Sequence, residues 1–585
     1  MRPRSVDPLL AAAGAAGAAG LAALALAWGE RTGRWLPLFG HGLDPAGRPW
    51  IQRFGPGEPA LFAVQLLLLP AVILAASALV RWAPLAALDR SLGSRPGRWR
   101  LAAALTAALV ATCWSVLVFH GTPITDDEDV YLFQARIFAS GHGALPSPEP
   151  RTAFDAIFVV NDGRWFGQYP PGHPLALVPG VLAGAPRAIP PLLLALAVWW
   201  LSGAVSQLMG PREAVIAAWI AAASPFLTAM AGTQLSQTTS LAALALGLHL
   251  GLNATRTGRS LPALGAGLAM GFAVLVRPAS AVLVGGPLAL AFLPGILRTG
   301  RRRAAGAFLA GGLVMGLAGL LFNRAMTGSP WVSPYMAYWL PREGLRSPFG
   351  FGDFPWGLHH TVTTGIGNLW RNAVRLDGWL TGWPLAVPAA LAALPVVLRR
   401  RGGPGIVTAA VLSPLVYVAY FWPGIPDVGP ILLAETALGW LPLLALVLAG
   451  GETPAARRLR LGWLLAGTVL AWTLWVPVPA RALQREAWEA GRLERAVRRA
   501  VDGRRAVVFT PLMPRGTDAG SWRLGRPLPH PDLSDTHLFL LTPPTPSRAA
   551  DLAARHFPDR IPLLARWVPG HGFLFRRLDK TDTPR

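Results

Sequence analysis

The chain holds one lysine, Lys580, and one cysteine, Cys113, among its 585 residues. A lone thiol makes no intrachain disulfide and builds no cysteine-based metal site. Charge is scarce as well. Only 14% of residues are charged, against roughly a quarter in soluble domains, which excludes an ordinary cytosolic multidomain protein. Acid is the scarcer sign: 30 Asp and Glu stand against 53 Lys and Arg, for a formal net charge of +23. A nucleic-acid binder would gather its arginines on one soluble face. Here they punctuate apolar runs instead, as Arg90, Arg95 and Arg98, Arg256 and Arg259, Arg298 and Arg301 to Arg303, Arg399 to Arg401, and Arg457, Arg458 and Arg460. Nucleic acid is therefore not an expected partner.

Hydrophobic residues make up 52% of the chain, and their runs recur from residue 8 to residue 479 at the ~20-residue length that crosses ~30 Å of hydrocarbon. The bilayer is the expected solvent. Taking the arginine clusters as cytoplasmic predicts spans near 8–28, 59–81, 100–120, 188–208, 213–231, 238–253, 261–277, 279–296, 304–323, 376–398, 404–422, 437–450 and 460–479. The count is about thirteen. The run from Pro8 to Trp28 follows Arg2 and Arg4 as a signal peptide would, but it is long for one and reads as a retained first span. The loops 29–58, 121–187, 324–375 and 423–436 then fall outside. Gly311, Gly312, Gly316 and Gly319, like Gly14, Gly17 and Gly20, read as small-residue faces for close helix packing. The bias to Arg, Ala, Gly and Pro points to a GC-rich bacterial genome, and so to a bacterial cytoplasmic membrane.

Three regions are expected: N-terminal spans over 1–99, a main membrane region over 100–479, and a small extracytoplasmic α/β domain over 480–585. In the last, Arg492 to Arg505 reads as a basic helix, Ala506–Phe509 and His537–Leu541 as buried strands, Ser547 as the cap of a helix through Phe557, and Ile561–Trp567 and Gly572–Arg577 as two more strands.

The first outer loop carries the chemistry. Asp126, Asp127, Glu128 and Asp129 follow an apolar run directly, and carboxylates at a membrane face are functional candidates. Acids also cap helices and suit the helix dipole, but four exceed what capping needs. Adjacent helix positions point roughly 100° apart, so Asp127 and Glu128 cannot face one bond as a glycosidase pair does. Asp127 and Tyr131, four apart, share a face. A single carboxylate base suits transfer from a sugar phosphate, whose leaving group is already a good anion and needs only cationic stabilisation. The second signal is Gly163 to Pro174 (GRWFGQYPPGHP), a rigid turn returning the chain to the membrane. The apolar stretch 173–184 after it is too short to span and reads as interfacial.

Asp127-Glu128 with Tyr131, then Tyr169-Pro170-Pro171-Gly172, resembles the first outer loop of the GT-C superfamily. The likeness is to the family 39 type, which includes relatives of protein mannosyltransferases and aminoarabinose transferases. It extends through Leu275 to Pro278 (LVRP), Asn323 to Tyr335 (NRAMTGSPWVSPY) and Gly378 to Pro384 (GWLTGWP), and so over most of residues 100–450. The resemblance implies a polytopic α-helical GT-C-like membrane glycosyltransferase with a polyprenyl-phosphate sugar donor, inversion at the anomeric carbon, and an active site on the periplasmic side. Asp127 would be the catalytic base and Glu128 its support. Donor binding would fall to Tyr131, Gln168, Tyr169, His173, Arg277, Arg324, Tyr335 and Glu435. A divalent metal is a further expectation, with Asp127, His359 and His360 as its ligands. The acceptor would be an envelope lipid, glycan or protein, within a setting of membrane lipids.

Two positions depart from the family pattern. Gln168 stands where relatives often carry a base, and Gly429-Pro430-Ile431-Leu432 precedes Glu435 where they often read Arg-Tyr. These departures keep open an inactive binding protein with the same fold, and the number of spans with their broken segments keeps open a flippase for lipid-linked sugars.

Overall fold

The computed structural model describes residues 8–31, residues 57–510 apart from 299, 346, 355–357, 384, 423, 425–427 and 452, and residues 527–579 apart from 544, 569 and 570. The expected outer loop 29–58 lies almost wholly outside the described residues. So do Pro384 and part of the loop 423–436.

The chain is a multi-pass helical membrane protein. Four described helices are long and apolar enough to cross a membrane: Pro96–Val118, Pro186–Leu208, Arg302–Thr327 and Ile431–Ala449. Up to eight spans result if each of four bent helix pairs is one crossing. Proline sets two of the bends. Pro225 opens the second limb of a pair bent by 54° and Pro477 that of a pair bent by 41°, because a proline ring removes an N–H and clashes with the preceding turn.

Glycine brings two helices to backbone contact. A Cβ on Gly267 would lie 2.0 Å from the Phe308 carbonyl oxygen, and one on Gly311 would lie 2.5 Å from that of Leu264. Helices Ser260–Val276 and Arg302–Thr327 therefore meet through small residues. Gly14 and Gly319 also abut neighbours, Leu74 and Leu275. Gly17, Gly20, Gly312 and Gly316 face open space. At these four the expected packing role is corrected, because a helix presents only part of its circumference to a partner.

The arginine clusters converge at the ends of helices from distant parts of the chain. Arg212 pairs with Asp89 at 2.5 Å and donates to the Ala449 carbonyl at 3.2 Å. Arg400 donates to the Met209 carbonyl and Arg460 to that of Val447, and Arg301 to that of Thr255. Each acceptor closes a helix C-terminus, where four carbonyls lack partners and the dipole favours cations. Arg301, Arg400 and Arg460, which belong to the clusters between apolar runs, thus finish helices from distant parts of the chain.

At the opposite end of Pro96–Val118, the helix Asp126–Ala139 begins. A three-stranded antiparallel sheet follows, with Arg164–Gly167 between Leu145–Pro146 and Val159–Asn161. The short helix Gly172–Leu182 returns the chain to the span Pro186–Leu208.

The C-terminal residues form a four-stranded sheet in the order His537–Leu541, Ala506–Thr510, Ile561–Val568, Gly572–Arg577, parallel except for the last strand. Its central strand Ala506–Thr510 is buried on both faces, as its unbroken apolar run requires. Ala506 and Val508 pack on Leu493 and Val497 of the helix Arg492–Ala500. Val507 and Phe509 face the other way and share one core with Ala549 and Ala553, and with Val130, Phe133 and Ile137 of the acidic helix. The helix Pro546–His556 is capped by Thr545, whose side chain accepts from Arg548 N. Ser547 is not the expected cap, because Pro546 fills the first helical position and places the cap one residue earlier.

Candidate active site

Thr125, in extended conformation, starts the acidic helix through a capping box with Glu128. Glu128 Oε1 accepts from Ile124 N at 2.9 Å and Thr125 N at 3.3 Å, while Oε2 accepts from Gln234 N at 2.8 Å. The carboxylate is 2% exposed and does not line the cavity. The expectation that Glu128 assists at the reacting centre is corrected by this geometry: its oxygens hold the loop to the segment before Gln237–Thr257. One step along the helix the direction changes by roughly 100°, and Asp127 lines the cavity.

Arg277, Gln168, Tyr169, Tyr131 and Tyr335 line the same cavity. The Tyr169 hydroxyl donates to Asp127 Oδ1, and its ring packs 4.6 Å from that of Tyr131. Tyr131 in turn donates to Ser236 Oγ at 3.0 Å, which also accepts from Arg277 Nη1 at 3.3 Å. Arg277 Nε meets Glu435 Oε1 at 2.9 Å, with side-chain exposures of 18% and 1%. A continuous run of contacts thus ties the acid to the cation through two tyrosines and a serine.

Glycine sets the approach. A Cβ on Gly172 would lie 2.8 Å from the carbonyl carbon and oxygen of Leu275, so the Tyr-Pro-Pro-Gly turn rests on the backbone just before Arg277. The turn matters because it seats Tyr169 beside the span end that carries the cation. Burial, and after it the charge of Asp127, pushes the Tyr335 phenol up to about 12. The Tyr131 phenol is raised by the same two causes. Both therefore stay protonated at neutral pH and serve as hydrogen-bond donors.

Four other expected residues lie elsewhere. His173 is fully buried behind Tyr131, with Nδ1 2.7 Å from Thr239 Oγ1 and Nε2 2.7 Å from the Gln234 carbonyl. Its place in donor binding is corrected to one of support. Arg324 is exposed near the end of Arg302–Thr327 and does not line the cavity. It lies on the part of that helix turned outward. His359 pairs with Asp353 at 2.7 Å, and His360 with the Val418 carbonyl at 3.0 Å, so neither joins Asp127. Neighbours on a strand point to opposite faces. Among the described residues no group of three or more His, Cys, Asp or Glu is placed to hold an ion.

The sequence reading missed Gln237, Tyr420 and Trp422, all of which line the cavity. A signal for Gln237 was available. The polar stretch Thr233 to Ser240 lies between two apolar helices and is buried throughout, and buried polar runs in a membrane protein mark cavities. Ile431 and Leu432 also line the cavity, so the stretch before Glu435 gives the wall an apolar part.

Comparison with solved structures shows likeness of fold to membrane proteins. The chain is similar to ArnT from Cupriavidus metallidurans bound to undecaprenyl phosphate, with a TM-score of 0.50 and 14% identity over 79% of this chain and 92% of that one. The apo oligosaccharyltransferase of Archaeoglobus fulgidus is a more distant match, with a TM-score of 0.41 and 15% identity over 65% of this chain and 56% of that one. No family model and no curated protein matches the chain in sequence. At these identities the likeness concerns the fold, and it does not single out the family 39 type.

Proposed function

We propose that the protein is an integral membrane glycosyltransferase that moves a sugar from a polyprenyl-phosphate donor to a hydroxyl acceptor at the outer face of a bacterial cytoplasmic membrane. The observation that carries this reading is that Asp127 and Arg277 line one cavity within a GT-C fold. The structural neighbour's bound undecaprenyl phosphate supports the donor class.

Asp127 takes the proton from the acceptor hydroxyl while the acceptor oxygen bonds to the anomeric carbon. The bond from that carbon to the phosphate oxygen breaks in the same displacement, and polyprenyl phosphate leaves with the electron pair. Attack opposite the leaving group inverts the anomeric centre. Arg277, fixed by Glu435 and Ser236, steadies the departing charge, and a cation held in advance of the reaction needs no rearrangement at that moment. Tyr169 orients Asp127. The acceptor is an envelope lipid, glycan or protein. With about thirteen spans, and the stretch 173–184 lying at the interface without crossing, the arginine clusters would fall on the cytoplasmic side.

Reconstituting the full chain with labelled polyprenyl-phosphate sugars and comparing it with Asp127→Asn tests the reading. Transfer should fall at least 100-fold, the usual scale for losing a positioned base, while donor binding persists. Undiminished transfer by the Asn variant would remove the base and with it the mechanism.

A further inference from the structure

Two amides on the cavity wall are left without partners. Gln168 is 2% exposed and Gln237 3% exposed, both line the cavity, and the Oε1 of each is buried with no hydrogen bond. Among the described residues neither amide makes a side-chain hydrogen bond. They come from different parts of the fold: Gln168 follows the strand Arg164–Gly167 in the outer loop, and Gln237 opens the helix Gln237–Thr257. Buried polar groups are nearly always satisfied, and an orphan is costly enough to need a reason. Two orphans on the wall of one cavity point to a ligand that completes them.

The chemistry of that ligand follows from what an amide recognises. Its oxygen accepts and its nitrogen donates, and the two ends exchange by a rotation of the side chain. A carboxylate satisfies only the nitrogen and an ammonium only the oxygen. A hydroxyl satisfies either. Charge argues against the carboxylate alone. Arg277 is matched by Glu435, and Asp126 and Asp127 add two acids to the lining, so an anionic sugar would meet net negative charge. Aromatic rings, Phe158, Trp339 and Trp422 among them, form part of the wall, and such rings suit the apolar face of a pyranose.

We infer that Gln168 and Gln237 read hydroxyl groups of the transferred sugar, and that this sugar is hydroxyl-rich rather than acidic. The inference rests on the transferase reading above and names the substrate class of that site.

The test uses the full-length protein in liposomes with synthetic polyprenyl-phosphate donors carrying a neutral hexose, its singly deoxygenated analogues, an amino sugar or a uronic acid. The neutral hexose should be preferred to the uronic acid. Removing the hydroxyl that meets a glutamine should lower kcat/KM about 10- to 100-fold. Gln168→Leu and Gln237→Leu should lose a similar factor with the parent hexose and show little further loss with the matching deoxy donor. Their thermal unfolding temperatures should be unchanged or raised, because an unpartnered amide contributes nothing to the empty protein; a purely structural glutamine would lower them. Thermal shift by non-transferable phosphonate analogues runs in parallel. Equal shifts for hydroxylated and deoxy analogues, or a preference for the uronic acid, would overturn the inference. A hydroxyl-dependent shift without any turnover would sink the transferase reading alone and leave the recognition intact.

Discussion

Arg277, which lines the cavity that also holds Asp127, meets the buried Glu435 at 2.9 Å just behind that wall. They come from the end of Ser260–Val276 and from the 3-10 turn Ile431–Thr436, so one ion pair fastens two distant stretches of chain around the site. Replacing Glu435 by Gln leaves a cation buried without its counter-charge. The expected loss of stability is about 3 kcal/mol, at the low end for a broken buried pair because Arg277 keeps some exposure. Thermal unfolding in detergent reads it, and the Arg277→Gln, Glu435→Gln double variant should be less damaged than the two single losses together.

Glu128 and Asp127 are neighbours with separate tasks. Glu128→Ala removes the acceptor for three backbone amides and should destabilise the protein by roughly 3 kcal/mol. Asp127→Asn should leave the unfolding temperature nearly unchanged while transfer is lost. If both variants unfold at the temperature of the parent, the division of labour is wrong.

Gly172→Ala should cost on the order of 1–3 kcal/mol, the range for overpacking against atoms that cannot turn aside. The added methyl meets the Leu275 backbone. Because the shift would displace Tyr169 from Arg277, donor turnover should fall more than stability does. The ratio of activity to folded fraction measures this.

His173 gives the fold a dependence on acid. Burial, chiefly, lowers its pKa to about 4, below the ordinary value near 6.5. The unfolded chain therefore binds a proton that the folded chain refuses between these two values. Stability contributed by the neutral imidazole is complete above about pH 6.5 and is lost as pH falls toward 4. Unfolding temperatures followed from pH 7.5 to 4.5 should decline, and His173→Asn should flatten the decline. An equal slope in the variant would move the effect to another group.

Much of the membrane architecture was legible because the bilayer imposes it: apolar length and arginine placement are single-residue properties that survive without knowledge of contacts. The C-terminal strands were legible for a related reason, since Ala506–Thr510 is buried on both faces and reads as one apolar run. Asp127 stood out by its place after a long apolar helix. Its neighbour misled, because a carboxylate at the third helical position looks the same in sequence whether it faces a substrate or its own cap. Arg324 misled through proximity to a family-like stretch, though the helix turns it outward. Gln237 and Trp422 were out of reach because cavity walls are assembled from segments far apart in the chain, and no local pattern records which side chains end up opposite one another.

The acidic helix and the last strands close a single apolar core, and Phe154 and Phe557 lie with ring centroids 6.5 Å apart. One of these partners is made long before the other. A nascent chain must therefore hold Val130, Phe133 and Ile137 only partly covered until the strand Ala506–Thr510 has been made. Any truncation that spares every cavity residue but stops short of Ala506 would still leave the helix of Asp127 without its lid of hydrocarbon.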